Sequence, residues 1–312
     1  MEPQLIKQLA LGIVPPLLVA LVLFPAFWWR RRATRQELPA LTPPTLDNTR
    51  ADPTWLAPLV FGLIGVVMSP IIASKLPFPP TGGADWLAFV ALAGLVMGLT
   101  AKAIRFPIVV RWLVRLAVIA AVGYVSLRAP IHGRWSPQTS ALWLAGFTAI
   151  TGVVFWAAER HTDRTRGPAG PIVLLVLCFA ANQLLILGYH SLKLAQYPGF
   201  FAAALGPVLI LALIRPRFTL AFGGVHVPVL MTAAALLQGT FAAVVNDDAP
   251  FPFVWVLMLA ASPILALVGS VGPLGRLTGW KAAAVRGGLA ALPAFAAVGW
   301  AASTYEFPTN DY

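Results

Sequence analysis

Apolar runs of about 20 residues recur along the whole of this chain, and arginines fill every second gap between them. At ~1.5 Å rise per residue, a helix of that length crosses the ~30 Å hydrocarbon core of a bilayer. Cations confined to alternate gaps mark the loops on one side of the membrane, because Lys and Arg concentrate on the cytoplasmic face. The pattern therefore predicts an all-α polytopic membrane helix bundle and limits which residues can meet.

The spacing predicts ten spans, over 9–29, 55–74, 85–103, 107–127, 140–158, 170–190, 198–214, 224–245, 251–270 and 282–302. With the N-terminus outside, the cytoplasmic gaps hold Arg30, Arg31, Arg32, Arg35, Arg50, Lys102, Arg105, Arg160, Arg164, Arg166, Arg215, Arg217, Arg276 and Lys281. Arg111, Arg115 and Arg286 lie within reach of that face, so 17 of the 22 basic residues fall on one side. Lys7, Lys75, Arg128, Arg134 and Lys193 remain outside. One missed helix would invert every later loop, so the split argues for the span count and places both termini outside. Only Lys7 precedes the first run while four arginines follow it, and no small-residue cleavage site is evident. The first run is thus expected to stay as a helix rather than leave as a signal peptide.

Composition agrees with a lipid solvent. The chain is 59% hydrophobic and 11% charged, with mean hydropathy +0.80, whereas soluble domains carry roughly 25% charged residues. The net charge of +11 does not point to nucleic acid, since the cations sit in short gaps and form no stripe on a soluble domain. Arginine (17) far exceeds lysine (5), which suggests the plasma (inner) membrane of a GC-rich bacterium. Tryptophans fall at span ends: Trp28, Trp29, Trp55, Trp112, Trp156 and Trp280 inside, Trp86, Trp143, Trp255 and Trp300 outside, with Trp135 in an outer loop. Interfacial belts have this distribution. Residues 1–312 read as one transmembrane domain. Its longest loop, 30–54, is cytoplasmic and rich in proline, and is expected to be extended or partly disordered.

Few residues carry chemistry. The single Cys178 rules out an internal disulfide and reads as a small buried hydrophobe. Four histidines divide between the faces: His132 and His190 outside, His161 in an inner loop, His226 at the inner end of span eight. No dense metal-ligand cluster, phosphate loop or nucleophile set stands out, so no metal, cofactor or catalytic residue is expected. No span buries an aspartate or glutamate. Asp247 and Asp248 read as a solvated outer turn.

The strongest polar anomaly is Arg111 with Arg115, four apart on one face of span four. Arg115 would lie about 12 Å deep at ~1.5 Å per residue. Either its stem snorkels inward or it pairs with Glu159 at the inner end of span five, or the two arginines hold an anionic ligand. Asn182 and Gln183 interrupt span six, and Gln238 sits comparably deep in span eight. Amides at such depth need partners, supplied by neighbouring helices or by a polar substrate path. Asn182 and Gln183 point about 100° apart and share a cavity only if it lies between several helices. Gly94 and Gly98 form a helix-packing GxxxG. Prolines at 15, 16, 70, 207, 263 and 293 interrupt spans.

Three functions fit. The first, and the expected one, is a small-solute carrier or permease with a polar path of Arg111, Arg115, Asn182, Gln183 and Gln238 between kinked helices. The second is a non-catalytic subunit or assembly partner of a larger membrane complex. The third, the weakest, is an enzyme acting on lipid-linked substrates. The expected surroundings are the lipid bilayer and partner membrane subunits.

Overall fold

Helix satisfies every backbone donor and acceptor within one segment, which is what an apolar solvent demands. The computed structural model describes residues 13–26, 56–73, 80, 83–103, 107–215, 218–221, 223–246 and 252–304, and among these there are helices and no strand. In chain order they are α1 (Ile13–Ala26), α2 (Leu56–Ala73), a 3-10 turn (Gly83–Trp86), α3 (Leu87–Ala103), α4 (Ile108–Ser126) and α5 (Arg128–Gly133). Then follow α6 (Pro137–Arg164), α7 (Ala169–Leu187), α8 (Leu192–Ile214), α9 (His226–Asn246), α10 (Pro252–Val268), a 3-10 turn (Gly272–Arg276) and α11 (Gly279–Ser303). The proline-rich segment 30–54, Asp247, Asp248 and both extreme termini lie outside the described residues.

Six stretches are long and apolar enough to cross a membrane: Ala84–Ala101, Ile108–Ser126, Pro137–Arg164, Ala169–Leu187, Leu192–Ile214 and Gly279–Ser303. Four further apolar helices, Ile13–Ala26, Leu56–Ile72, His226–Ala242 and Phe253–Val268, are shorter. The protein is thus a helical, membrane-embedded bundle. Its outer faces are apolar: Ile108, Val109, Leu113, Leu142, Ile214 and Leu292 are each more than half exposed, as side chains against lipid are.

Small residues bring the helices together, since lipid offers no hydrophobic drive for association and close packing takes its place. A Cβ on Gly62 or Gly65 of α2 would sit 2.7 Å from Leu95 or Ala91 of α3. Gly94 packs on the backbone of Val227 at the start of α9, and Gly98 on Pro58 of α2 and the carbonyl of Gly223. The GxxxG therefore seats α3 on two partners. A line of rings fills the interior between α1, α2 and α8: Phe24 to Phe61 (6.0 Å), Phe61 to Phe201 (6.3 Å), Phe201 to Phe200 (4.6 Å) and Phe200 to Tyr197 (5.8 Å).

Several boundaries differ from those expected. α6 runs to Arg164 rather than ending near 158, because a helix need not stop where hydrocarbon does. Arg164 in its last turn also complements the negative end of the helix dipole. His161 consequently lies inside the helix, fully buried, and not in a loop. α8 begins at Leu192, capped by Ser191, whose Oγ accepts from the Leu194 amide at 3.4 Å. Pro198 is internal to it, as membrane helices tolerate. In the gap expected between 214 and 224, Phe218, Leu220 and Ala221 are buried.

Candidate functional site

Polar side chains within the bundle gather in three places. The first joins α4, α6 and α9. Arg115 shares the buried face of α4 with Ile119, Val122 and Ser126 and is 4% exposed. Its Nη1 and Nη2 donate to Glu159 Oε2 and Oε1 at 2.6 and 2.5 Å, a two-pronged match of planar fork and carboxylate. The guanidinium also lies over Trp112 (5.1 Å) and Phe155 (5.5 Å). The His226 ring meets Phe155 edge-on at 4.7 Å. His226 opens α9, is buried, and its Nδ1 has no hydrogen-bond partner. Arg111, one turn before Arg115, is half-buried with its Nε unpartnered. The Arg115–Glu159 fork uses both carboxylate oxygens and neutralises the guanidinium, so an anion reaching Arg115 would compete with Glu159 for its charge.

The second place joins α7 and α8. Asn182 Nδ2 donates to the Ala195 carbonyl at 2.7 Å, and Gln183 Nε2 donates to Asn182 Oδ1 at 3.1 Å. Gly199 makes room, since a Cβ there would stand 2.8 Å from Asn182 Nδ2. Both amides line a cavity of about 430 Å³ with Ile13 of α1, Gln196 and Gly199 of α8. It lies between three helices, which is how neighbours 100° apart come to share it. Gln196 precedes the span expected to start at Pro198, and it becomes an intramembrane residue because α8 starts at Leu192. Gln238, 9% exposed on α9, is not among the residues lining this cavity.

The third place ties the ends of α6, α7, α10 and α11. His161 Nε2 donates to the Ala169 carbonyl at 2.9 Å, and its Nδ1 lies 3.1 Å from Ser270 Oγ. The Ser270 hydroxyl is also within 3.2 Å of the Ala266 carbonyl, to which it donates. Arg286, 5% exposed, donates from Nε to the Gly269 carbonyl (3.2 Å) and from Nη2 to that of Gly275 (3.4 Å). Gly269 follows the last residue of α10, so the cation neutralises a helix C-terminus.

A second cavity, about 350 Å³, opens between α6, α9 and α10 and is almost wholly apolar. Its hydroxyls are Thr151, Thr232 and Thr240. Thr240 donates to the Leu236 carbonyl at 2.8 Å, and Thr232 lies 3.6 Å from the Cys178 thiol. Among the described residues no group of three His, Cys, Asp or Glu could hold a metal ion. No protein-family model, no curated protein and no solved structure matches the chain.

Proposed function

We propose that this chain is a ten-span protein of a bacterial plasma membrane, acting as a non-catalytic subunit or assembly partner of a larger membrane complex. The observation that carries the reading is the Arg115–Glu159 fork, together with the separate Asn182–Ala195 bond. Each contact joins two helices, so Arg115, Glu159 and Asn182 have their polar groups engaged in holding the bundle together. The ten-span count is supported by ten apolar helices, including the four short ones, and by the one-sided placement of the cations. A bacterial origin is supported only by the excess of arginine over lysine.

Native mass spectrometry of the protein, gently extracted from its own membrane, tests the role. A membrane partner at constant ratio is expected; a lone monomer or homo-oligomer would sink the subunit reading. A reporter fused after Tyr312, active only outside the cytoplasm, tests the topology. It should be active, and an inactive, stably expressed fusion would overturn the outer C-terminus.

The amide-lined cavity favours a second reading, a small-solute carrier. Asn182, Gln183 and Gln196 converge there beside Pro198, which leaves a carbonyl of α8 without its usual amide donor. Under that reading a folded Asn182→Ala protein loses uptake. Under the subunit reading it loses only an interhelical hydrogen bond, about 0.6–2 kcal/mol.

A further inference from the structure

The turn between α10 and α11 exposes apolar side chains and cations together. Val271 is 56% exposed, Leu274 40% and Trp280 67%. Arg276 and Lys281, in the same eleven-residue stretch, are also exposed. The backbone beneath them is fixed, because the buried Arg286 holds the carbonyls of Gly269 and Gly275. The turn is therefore a rigid platform.

The end of α6 stands on the same rim. His161 reaches Ser270, six residues before Arg276, and Ala169 at the head of α7. Arg160 and Arg164, four apart on α6, flank His161 and are exposed, as is Arg166 just beyond. Asp163 is the one exposed acid among the described residues, and it is already engaged. Glu159 is taken by Arg115. The rim thus presents Arg160, Arg164, Arg166, Arg276 and Lys281 against a single carboxylate.

We propose that this rim, formed by the α10–α11 turn and the end of α6, is a docking site for the headgroups of anionic phospholipids. Charge complementarity supplies the attraction, since phosphate diesters meet fixed cations, with Arg offering a planar fork. The exposed Trp280, Leu274 and Val271 choose a lipid over a free anion or a nucleic acid. A tryptophan seats at the headgroup level while the aliphatic side chains enter the acyl region. A soluble polyanion would leave all three in water.

The test uses the full-length protein in nanodiscs of equal phosphatidylglycerol and phosphatidylcholine, released into a native mass spectrometer. The wild type is expected to retain phosphatidylglycerol in preference to phosphatidylcholine. Arg276→Gln with Lys281→Gln should weaken that preference by at least about fivefold, the scale of one cation near an anionic surface. Exchanging the same two residues as Arg276→Lys with Lys281→Arg should keep it. Arg128→Gln with Arg134→Gln, cations away from this rim, should leave it unchanged. Raising ionic strength on the wild type gives a readout that needs no variant, and should erode the preference. No preference in the wild type, or the same preference in the double glutamine variant, would overturn the site. So would co-purified nucleic acid lost in that variant while lipid retention stays constant.

Discussion

Arg115→Ala is expected to destabilise the protein in detergent micelles by about 3–5 kcal/mol, toward the lower end of that range. The substitution leaves the Glu159 carboxylate without its fork partner in a site where its side chain is only 15% exposed. It also removes the cation packed over Trp112 and Phe155. The partial exposure of Glu159 lets some water reach the orphaned charge, which places the cost low in the range. Polar contacts between membrane helices ordinarily contribute about 0.6–1.7 kcal/mol, so this residue should stand well above the rest. Replacing both partners, as Arg115→Met with Glu159→Leu, removes both buried charges and should recover most of the loss. Denaturant titration of the purified variants measures both. A single variant within about 1 kcal/mol of wild type, or a double variant as unstable as the single, would refute the structural role. A folded double variant without activity would instead assign Arg115 to ligand binding.

The reasons some features were legible in the sequence are specific. The helix segments were, because an apolar run has one way to hide its backbone from lipid. The Arg115–Glu159 pair was, because topology put an arginine and a glutamate at the same end of adjacent spans. Gly94 and Gly98 announced close packing by spacing alone. The polar cluster of His161, Ser270 and Arg286 was not legible. It depends on α6 running beyond the apolar run, and hydropathy cannot show a helix continuing through charged residues. Trp255 read as an interfacial residue from its place near a span end, yet it is 1% exposed and packs on Gly188 and Tyr189. Depth along a span is readable from sequence; the direction a side chain takes around the bundle depends on which neighbours arrive. Gln196 was hidden for a third reason, because Pro198 resembles a helix start and lies within the first turns of α8.

Gly223→Ala should cost about 2–6 kcal/mol, the sum of two unrelated penalties. Gly223 has φ +122°, where an L side chain carries about 1–3 kcal/mol of strain. The added Cβ would also stand 2.5 Å from the Gly98 carbonyl oxygen and 3.1 Å from its Cα. Those are backbone atoms of α3, so no rotamer change relieves the clash, and overpacking adds about 1–3 kcal/mol. The glycine ends the buried stretch of Phe218, Leu220 and Ala221 that closes the bundle between α8 and α9. That stretch is tied on its other side by the Gly167 amide, which donates to the Phe218 carbonyl at 2.7 Å. Gly288→Ala makes the control. Its Cβ meets nothing within 4 Å in the middle of α11, and alanine there should gain about 0.5–1 kcal/mol from helix propensity. Thermal unfolding of both variants in one detergent compares them directly. If Gly223→Ala unfolds with wild-type stability, the stretch is not a fixed plug, and an opening at this end of the bundle becomes compatible with a carrier. If it is strongly destabilised while Gly288→Ala is not, the end is sealed by packing, and a solute path there would have to break the Gly98–Gly223 contact in every cycle.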